Sequence, residues 1–271
     1  MLQLSPFLLS LSTNREMTFM QVSGIYLQKG GAERPMPDQW VMGFGLLEAQ
    51  LAKHSMQAGY IVTDTYEGAG KFRRYSGNGL FADSSRDLSL IDYVGLAATP
   101  KGLATPGWNW NGLCDLSYLD SYGRLSLTFM VDHSHCEFGS PEFEETLQQL
   151  AASYEWDFGC AMLRDKEQGI EMYLGGIGGG DGIGKEDERR IGLWYACYHP
   201  EERRERVRDI FPYNMVGPEH LARRLPDGRS LREFIEGDAD SELRPLADNL
   251  WLWKVQQDRT ETVREKLLGK G

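Results

Sequence analysis

Hydrophobic and polar residues alternate over several short stretches of the chain, and this pattern predicts β-strands. Two stretches, residues 116–119 and 125–131, flank a short connection that contains Gly123, which is the arrangement of a β-hairpin. Other short segments are dominated by apolar and aromatic residues and end at polar or glycine positions. For these we predict strands at residues 22–28, 60–65, 158–163, 170–174 and 191–198.

Apolar residues recur at helical spacing in three other segments. Residues 39–54 are predicted to form a helix that Asp38 caps, with one apolar face. A second helix is predicted over residues 140–153, because Pro141 suits a first helical position. A third, amphipathic helix is predicted at about residues 260–268. The apolar face of the first helix consists of Trp40, Phe44, Leu47 and Leu51.

The predicted strands outnumber the helices and occur mainly as hairpins. Hairpins pair their strands antiparallel, so we predict an α+β fold in which helices pack on one face of antiparallel sheet. Residues 67–83 are glycine-rich and predicted to be a loop, and residues 86–113 are predicted to contain several turns. We expect a single domain over residues 21–271, with a division into two subdomains near residue 113 as the alternative.

Residues 206–255 carry the densest set of local signals. Proline at position 218 suits a first helical turn, and residues 226–228 (Pro-Asp-Gly) suit a tight turn. Ser230 and Glu233 have the spacing of a capping box before a short helix. Residues 250–255 (LWLWKV) predict a strand that places both tryptophans on one face. These tryptophans are predicted to be core residues, with exposed interface anchors as the alternative.

This order of FPYN, a helix containing HL, a capped SLREFI helix and LWLWKV resembles bacterial immunity proteins, in particular the Immunity protein 52 family. That family belongs to polymorphic-toxin and type VI secretion systems. The resemblance covers about residues 206–255 and fades toward the N-terminus. It implies a protein that binds and neutralises a toxin of the restriction-endonuclease type.

The net charge of −11 narrows the choice of partners. Nucleic acid is disfavoured as a direct partner, because its phosphates would be repelled. A basic protein such as a nuclease fits this charge, and acidity for solubility alone is the alternative. Apolar residues make up 41% of the chain and charged residues 25%, which is typical of a globular protein.

The cysteines and the apolar runs of the chain indicate the cellular compartment of the protein. The four cysteines are widely spaced with no C-x-x-C pair, which indicates a reducing compartment, so we predict a cytoplasmic protein. No apolar run reaches about 18 residues, so no transmembrane helix or membrane partner is predicted. Residues 1–11 are apolar without a basic start. We predict that residues 1–20 are a disordered leader, with translation starting at Met17 or Met20. A signal peptide is the alternative.

Residues 175–186 form a glycine-rich segment that invites comparison with a phosphate-binding loop. Gly179, Gly184 and Lys185 match part of the G-x-x-x-x-G-K frame, but Glu186 stands where Ser or Thr would bind magnesium. Acidic residues would also repel phosphates. We interpret the segment as a connector, or as an acidic loop that contacts a basic partner. In the second case the toxin-binding residues are Asp181, Glu186, Asp187 and Glu188.

His133 and His135 would share one side of a strand if the strand predicted to precede them continued, and Cys136 is adjacent. Such histidines can bind zinc, but no third ligand stands at a recognisable spacing. There is also no G-x-S-x-G nucleophile motif. We therefore predict a non-enzymatic immunity protein without cofactor that neutralises its toxin by stoichiometric occlusion. The alternatives are a metal-dependent enzyme that uses His133 and His135, and a structural protein of a secretion or phage particle.

Overall fold

The computed structural model describes residues 21–65, 68–74, 89, 91–98, 110–119, 123–166, 207 and 209–268. Its strands are β1 (Gln21–Lys29), β2 (Ala58–Thr65), β3 (Gly68–Arg74), β4 (Ile91–Ala98), β5 (Gly112–Leu119), β6 (Arg124–Asp132), β7 (Phe158–Asp165), β8 (Tyr213–Val216), β9 (Ser241–Ala247) and β10 (Leu250–Val255). Its helices are α1 (Pro37–Lys53), α2 (Pro141–Ala151), α3 (Pro218–Ala222), α4 (Leu231–Glu236) and α5 (Thr260–Leu268), with a 3₁₀ turn at Gln257–Arg259.

All of these strands join one sheet in the order β3-β2-β4-β5-β6-β1-β7-β8-β10-β9. Every neighbouring pair is antiparallel. The predicted α+β class is confirmed, and so is the hairpin that joins β5 to β6. Strands from both sides of residue 113 lie in this sheet, and β4 pairs directly with β5.

Helices cover both faces of the sheet, so the expectation of one helical face is wrong. Leu252 and Met215 belong to a core that contains residues of α1 and α2. Trp253, the next residue along β10, belongs to a second core with residues of α3, α4 and α5. Successive residues of a strand point to opposite faces, so the short helices α3–α5 lie opposite α1 and α2.

The first helix begins two residues earlier than predicted. Pro37 is its first residue, and Met36 is the N-cap, whose backbone N–H donates to Gln39 Oε1 over 2.7 Å. Asp38 therefore lies inside the first turn, where its charge suits the positive end of the helix dipole. The predicted apolar face is confirmed, since Trp40, Phe44, Leu47 and Leu51 are all buried.

Four of the described strands were not predicted, namely β3, β4, β8 and β9; the last of these pairs with β10. The glycine-rich segment at 68–74, expected to be a loop, pairs with β2 as β3. The segment at 91–98, expected to contain turns, is β4 and pairs with both β2 and β5. The short β8 lies between β7 and β10. In each case pairing with neighbouring strands of the sheet outweighed weak local propensity.

The C-terminal region follows its local signals closely. Ser230 Oγ accepts from the backbone N–H of Glu233 over 3.1 Å, and the Glu233 side chain accepts from the N–H of Ser230 over 2.6 Å, so the capping box is confirmed. Trp251 and Trp253 share the face that meets α3–α5, as predicted. No helix in the described part of the chain is long and apolar enough to cross a membrane.

Candidate functional site

The four acidic residues predicted to contact a toxin lie outside the described residues, together with the rest of segment 175–186. They are Asp181, Glu186, Asp187 and Glu188, and their contact with a toxin stays a prediction. The predicted strands at 170–174 and 191–198 and the leader at 1–20 also lie outside the described residues. A candidate site must therefore be built from other side chains.

His133 and His135 belong to a turn and not to a strand, because β6 ends at Asp132. Asp132 Oδ1 accepts from both the backbone N–H and the hydroxyl of Ser134, which bends the chain. His133 Nδ1 lies 3.1 Å from Ser23 Oγ, whereas His135 Nε2 lies 3.1 Å from the Asn111 amide. The two imidazoles thus contact different partners. Within the described ranges no three His, Cys, Asp or Glu side chains are grouped to hold a metal.

The described cysteines are buried. Cys114, Cys136 and Cys160 are free thiols, each no more than 1% exposed. Burial raises the pKa of Cys136 to about 11 and also raises that of Cys114. A thiol with a raised pKa is a poor nucleophile at neutral pH, so Cys114 and Cys136 are weak candidates for catalysis.

The acidic residues between positions 238 and 248 do not form one surface. Asp238 and Asp240 both pair with Lys266, and Asp240 also accepts from Arg259 over 3.1 Å. These ion pairs neutralise the two aspartates locally. Asp248 lies at the far end of the β9–β10 hairpin, in its two-residue turn with Asn249, which has a φ of 57°.

Asp248 contributes to a concavity of about 450 Å³ at one end of the sheet. The C-terminal ends of β1 and β8 and the N-terminal ends of β7 and β10 meet there. We call it the acidic concavity, because four carboxylates line it against one lysine. These residues are Glu155, Asp157, Glu219, Asp248 and Lys29.

Packed loops hold the walls of the acidic concavity in place. Asp157 Oδ2 accepts from the backbone N–H of Gly30 over 2.7 Å, which joins the end of β1 to the start of β7. Trp156 is 4% exposed, and its indole N–H donates to Leu150 O at the end of α2 over 3.0 Å. His220, 1% exposed, lines the wall beside Glu219. The carboxylates therefore project from a rigid base.

The electrostatics of the acidic concavity favour a cationic ligand. Lys29 Nζ forms an ion pair with Glu155 Oε2 at 3.0 Å, and the side chain of Glu155 is 89% exposed. Glu219 and Asp248 are also exposed. Exposed carboxylates of this kind contribute little to affinity as single pairs, but together they attract and orient a positively charged partner.

A second concavity, of about 520 Å³, lies at the opposite end of the sheet and includes Tyr213 and Lys254. Next to it, Glu144 of α2 accepts hydrogen bonds from Lys254, from Tyr213 over 2.8 Å and from Arg244 over 3.0 Å. Burial alone would raise the pKa of Glu144, but these donors and the two cations hold it below its usual value. Burial and the same hydrogen bond raise the pKa of Tyr213. This network ties α2 to the sheet.

Local sequence patterns could not reveal the acidic concavity. Glu155 follows a helix, Glu219 sits in another and Asp248 lies in a hairpin turn, so each resembles an ordinary solvated charge. The one signal available from the sequence is the net negative charge of the whole chain. It indicates a basic partner but does not show which residues contact it.

Comparisons with known proteins give one informative finding. No model of a protein family matches the chain, and no curated protein matches it. Among solved structures, the type VI secretion system (T6SS) protein PA0821 of Pseudomonas aeruginosa is similar, with a TM-score of 0.54 and 11% sequence identity. The match covers 92% of this chain and 76% of that protein. The chain therefore shares the fold of that protein.

Proposed function

We propose that this chain is a cytoplasmic immunity protein that binds and neutralises a cognate antibacterial toxin delivered by type VI secretion. The observation that carries the proposal is the fold similarity to a T6SS protein over 92% of the chain. A fold by itself does not define an activity, so the site must supply the mechanism. The resemblance of residues 206–255 to immunity proteins supports the same class.

The acidic concavity supplies a mechanism by occlusion. A nuclease toxin must present lysine and arginine side chains to the phosphates of its substrate. Glu155, Glu219 and Asp248 offer carboxylates to such a surface in place of phosphates. A stoichiometric complex would then exclude nucleic acid from the toxin, and complementary charge would speed the encounter and select the partner.

The test begins with the open reading frames that flank the gene. Each is expressed inducibly in a bacterial host with and without this protein, and growth is followed. We expect one product to be toxic alone and harmless together with this protein, and the purified pair to form a complex of defined stoichiometry without nuclease activity. If no flanking product is toxic, or if the toxic one remains active in the complex, the proposal is wrong.

A matched pair of variants locates the contact. The first variant carries Glu155→Gln, Glu219→Gln and Asp248→Asn in the acidic concavity. The control carries the same number of neutralised, exposed acids elsewhere: Glu137→Gln, Asp258→Asn and Glu265→Gln. Both variants change the net charge equally. Weaker toxin binding in the first variant alone would assign the contact to the acidic concavity.

A further inference from the structure

The first helix presents apolar side chains to solvent at its start. Among the residues whose side chains the structure describes, the exposed large hydrophobics are Met36, Val41 and Met42, at 64%, 43% and 54% exposure. All three lie at the N-cap or within the first two turns of α1. We call them the α1 anchor.

The rest of the outer face of α1 is also unusually poor in charge. A helix that packs one face on a core ordinarily carries charged residues on the other. Here the core face of α1 is apolar and buried as expected, but its exposed positions include a single charged residue, Asp38. These positions are Asp38, Gln39, Val41, Met42, Gly45, Ala49 and Ala52.

The α1 anchor is joined to the acidic concavity through the loop that follows α2. Tyr154 Oη donates to the backbone carbonyl of Gln39 over 2.8 Å, so this loop is bound to the first turn of α1. The ring of Tyr154 packs edge-on against Trp156, with centroids 5.2 Å apart. Trp156 in turn lines the acidic concavity. The apolar and acidic surfaces are therefore held in one arrangement.

We propose that the α1 anchor is the apolar centre of the same interface, and that its occupant is a basic protein surface with exposed apolar residues surrounded by lysine and arginine. This inference rests on the proposed function. Methionine is enriched at protein interfaces, and its flexible side chain adapts to the partner. The acidic concavity, which is connected to the first turn of α1 through Trp156 and Tyr154, supplies the complementary charge.

The charge of the protein also separates this occupant from a second copy of the chain. Two copies would bring together the same acidic residues, Glu33 and Asp38 beside the anchor and Glu155 in the adjoining loop, all exposed. With a net charge of −11, the two copies would repel each other. A basic partner removes that repulsion.

The test uses the toxin identified by the growth rescue experiment and the double variant Val41→Thr, Met42→Gln. Both substitutions are polar and keep the approximate side-chain size in an exposed part of the helix. The control is Ala52→Gln, roughly 16 Å further along the same helix at 1.5 Å per residue. Binding kinetics are measured at two salt concentrations, and thermal melting checks that all variants fold.

We expect the double variant to raise the toxin Kd at least tenfold, mainly through faster dissociation and with little dependence on salt, because lost apolar contacts act on the dissociation rate. The control should bind like the wild type. Wild-type affinity in the double variant would overturn the inference and leave the proposed function standing. A wild-type protein that binds no toxin would overturn both. A wild-type dimer that the double variant converts to a monomer, with toxin affinity unchanged, would assign the anchor to self-association and overturn the inference.

Discussion

Trp253 donates its indole N–H to the hydroxyl of Ser241 over 3.0 Å. The ring is completely buried between the sheet and α4, in a cluster with Phe234 and Ile235. Ser241 opens β9 and pairs with Val255, two residues beyond Trp253 on β10. The hydrogen bond therefore satisfies the polar end of a core residue and supports the register of the hairpin.

Replacing Trp253 with alanine should lower the free energy of unfolding by about 3–5 kcal/mol, because it leaves a large cavity under α4. Trp251→Ala should cost less, since that ring is only half-buried and is covered by the Arg232 guanidinium 5.4 Å from its centroid. Urea denaturation of both variants measures the difference. A Trp251→Ala protein that melts like the wild type but loses toxin binding would instead place Trp251 in the interface.

Two glycines in α1 should respond to alanine in opposite directions. A Cβ at Gly43 would lie 2.7 Å from both Leu116 Cδ2 and Tyr154 Oη, so Gly43→Ala should destabilise the fold by about 1–3 kcal/mol. A Cβ at Gly45 would meet nothing within 4 Å, so Gly45→Ala should stabilise it by about 0.5–1 kcal/mol. Thermal melting gives both signs. If Gly43→Ala raised the melting temperature as Gly45→Ala does, the gain in helix propensity would outweigh the steric clash at Gly43.

Glu144 should make stability depend on pH in the acidic range. Its pKa is lowered in the folded protein, so the carboxylate stabilises the fold above its usual pKa of 4.5. This contribution is lost as the pH falls through the folded-state pKa. At neutral pH, Glu144→Gln should cost about 1–3 kcal/mol, since Lys254 and Arg244 lose their counter-ion. Urea denaturation between about pH 7 and pH 3 should show the two proteins converging in acid. A constant difference would contradict the argument.

The salt dependence of toxin binding should come from the acidic concavity. Neutralising Glu155, Glu219 and Asp248 should slow association and reduce its salt dependence, because these exposed charges act on the encounter. The α1 anchor variant should change dissociation instead. Stopped-flow association at low and high salt separates the two. Toxin association that is independent of salt in the wild type would remove the electrostatic part of the mechanism.

Much of the fold follows from local patterns. An apolar run identified β1, and alternation around a short connection identified the β5–β6 hairpin. Pro141 identified the start of α2, and the capping box identified α4. The signals failed where a strand exists through its partners. Gly68–Arg74 is glycine-rich and becomes β3 because β2 lies beside it. Tyr213–Val216 is too short to recognise and becomes β8 between β7 and β10.

The candidate site was hidden for a different reason. Glu155 and Asp248 lie almost a hundred residues apart in the chain, and only the meeting of β7 with β8 and β10 brings them to one end of the sheet. The exposed methionines at the start of α1 could not be recognised from the sequence either. The helical pattern predicts which residues are buried, but it does not predict which residue types occupy the exposed face.

The position of β1 has a consequence for the order of folding. This strand lies between β6 and β7, and Tyr26 pairs with Thr128 on one side and with Cys160 on the other. Both partners are on the order of a hundred residues downstream, so the middle of the sheet forms from contacts of high sequence separation, which slows folding. During synthesis β1 leaves the ribosome before β6 and β7 and stays unpaired with them until they follow. Its two open edges make the nascent chain prone to aggregation over that interval.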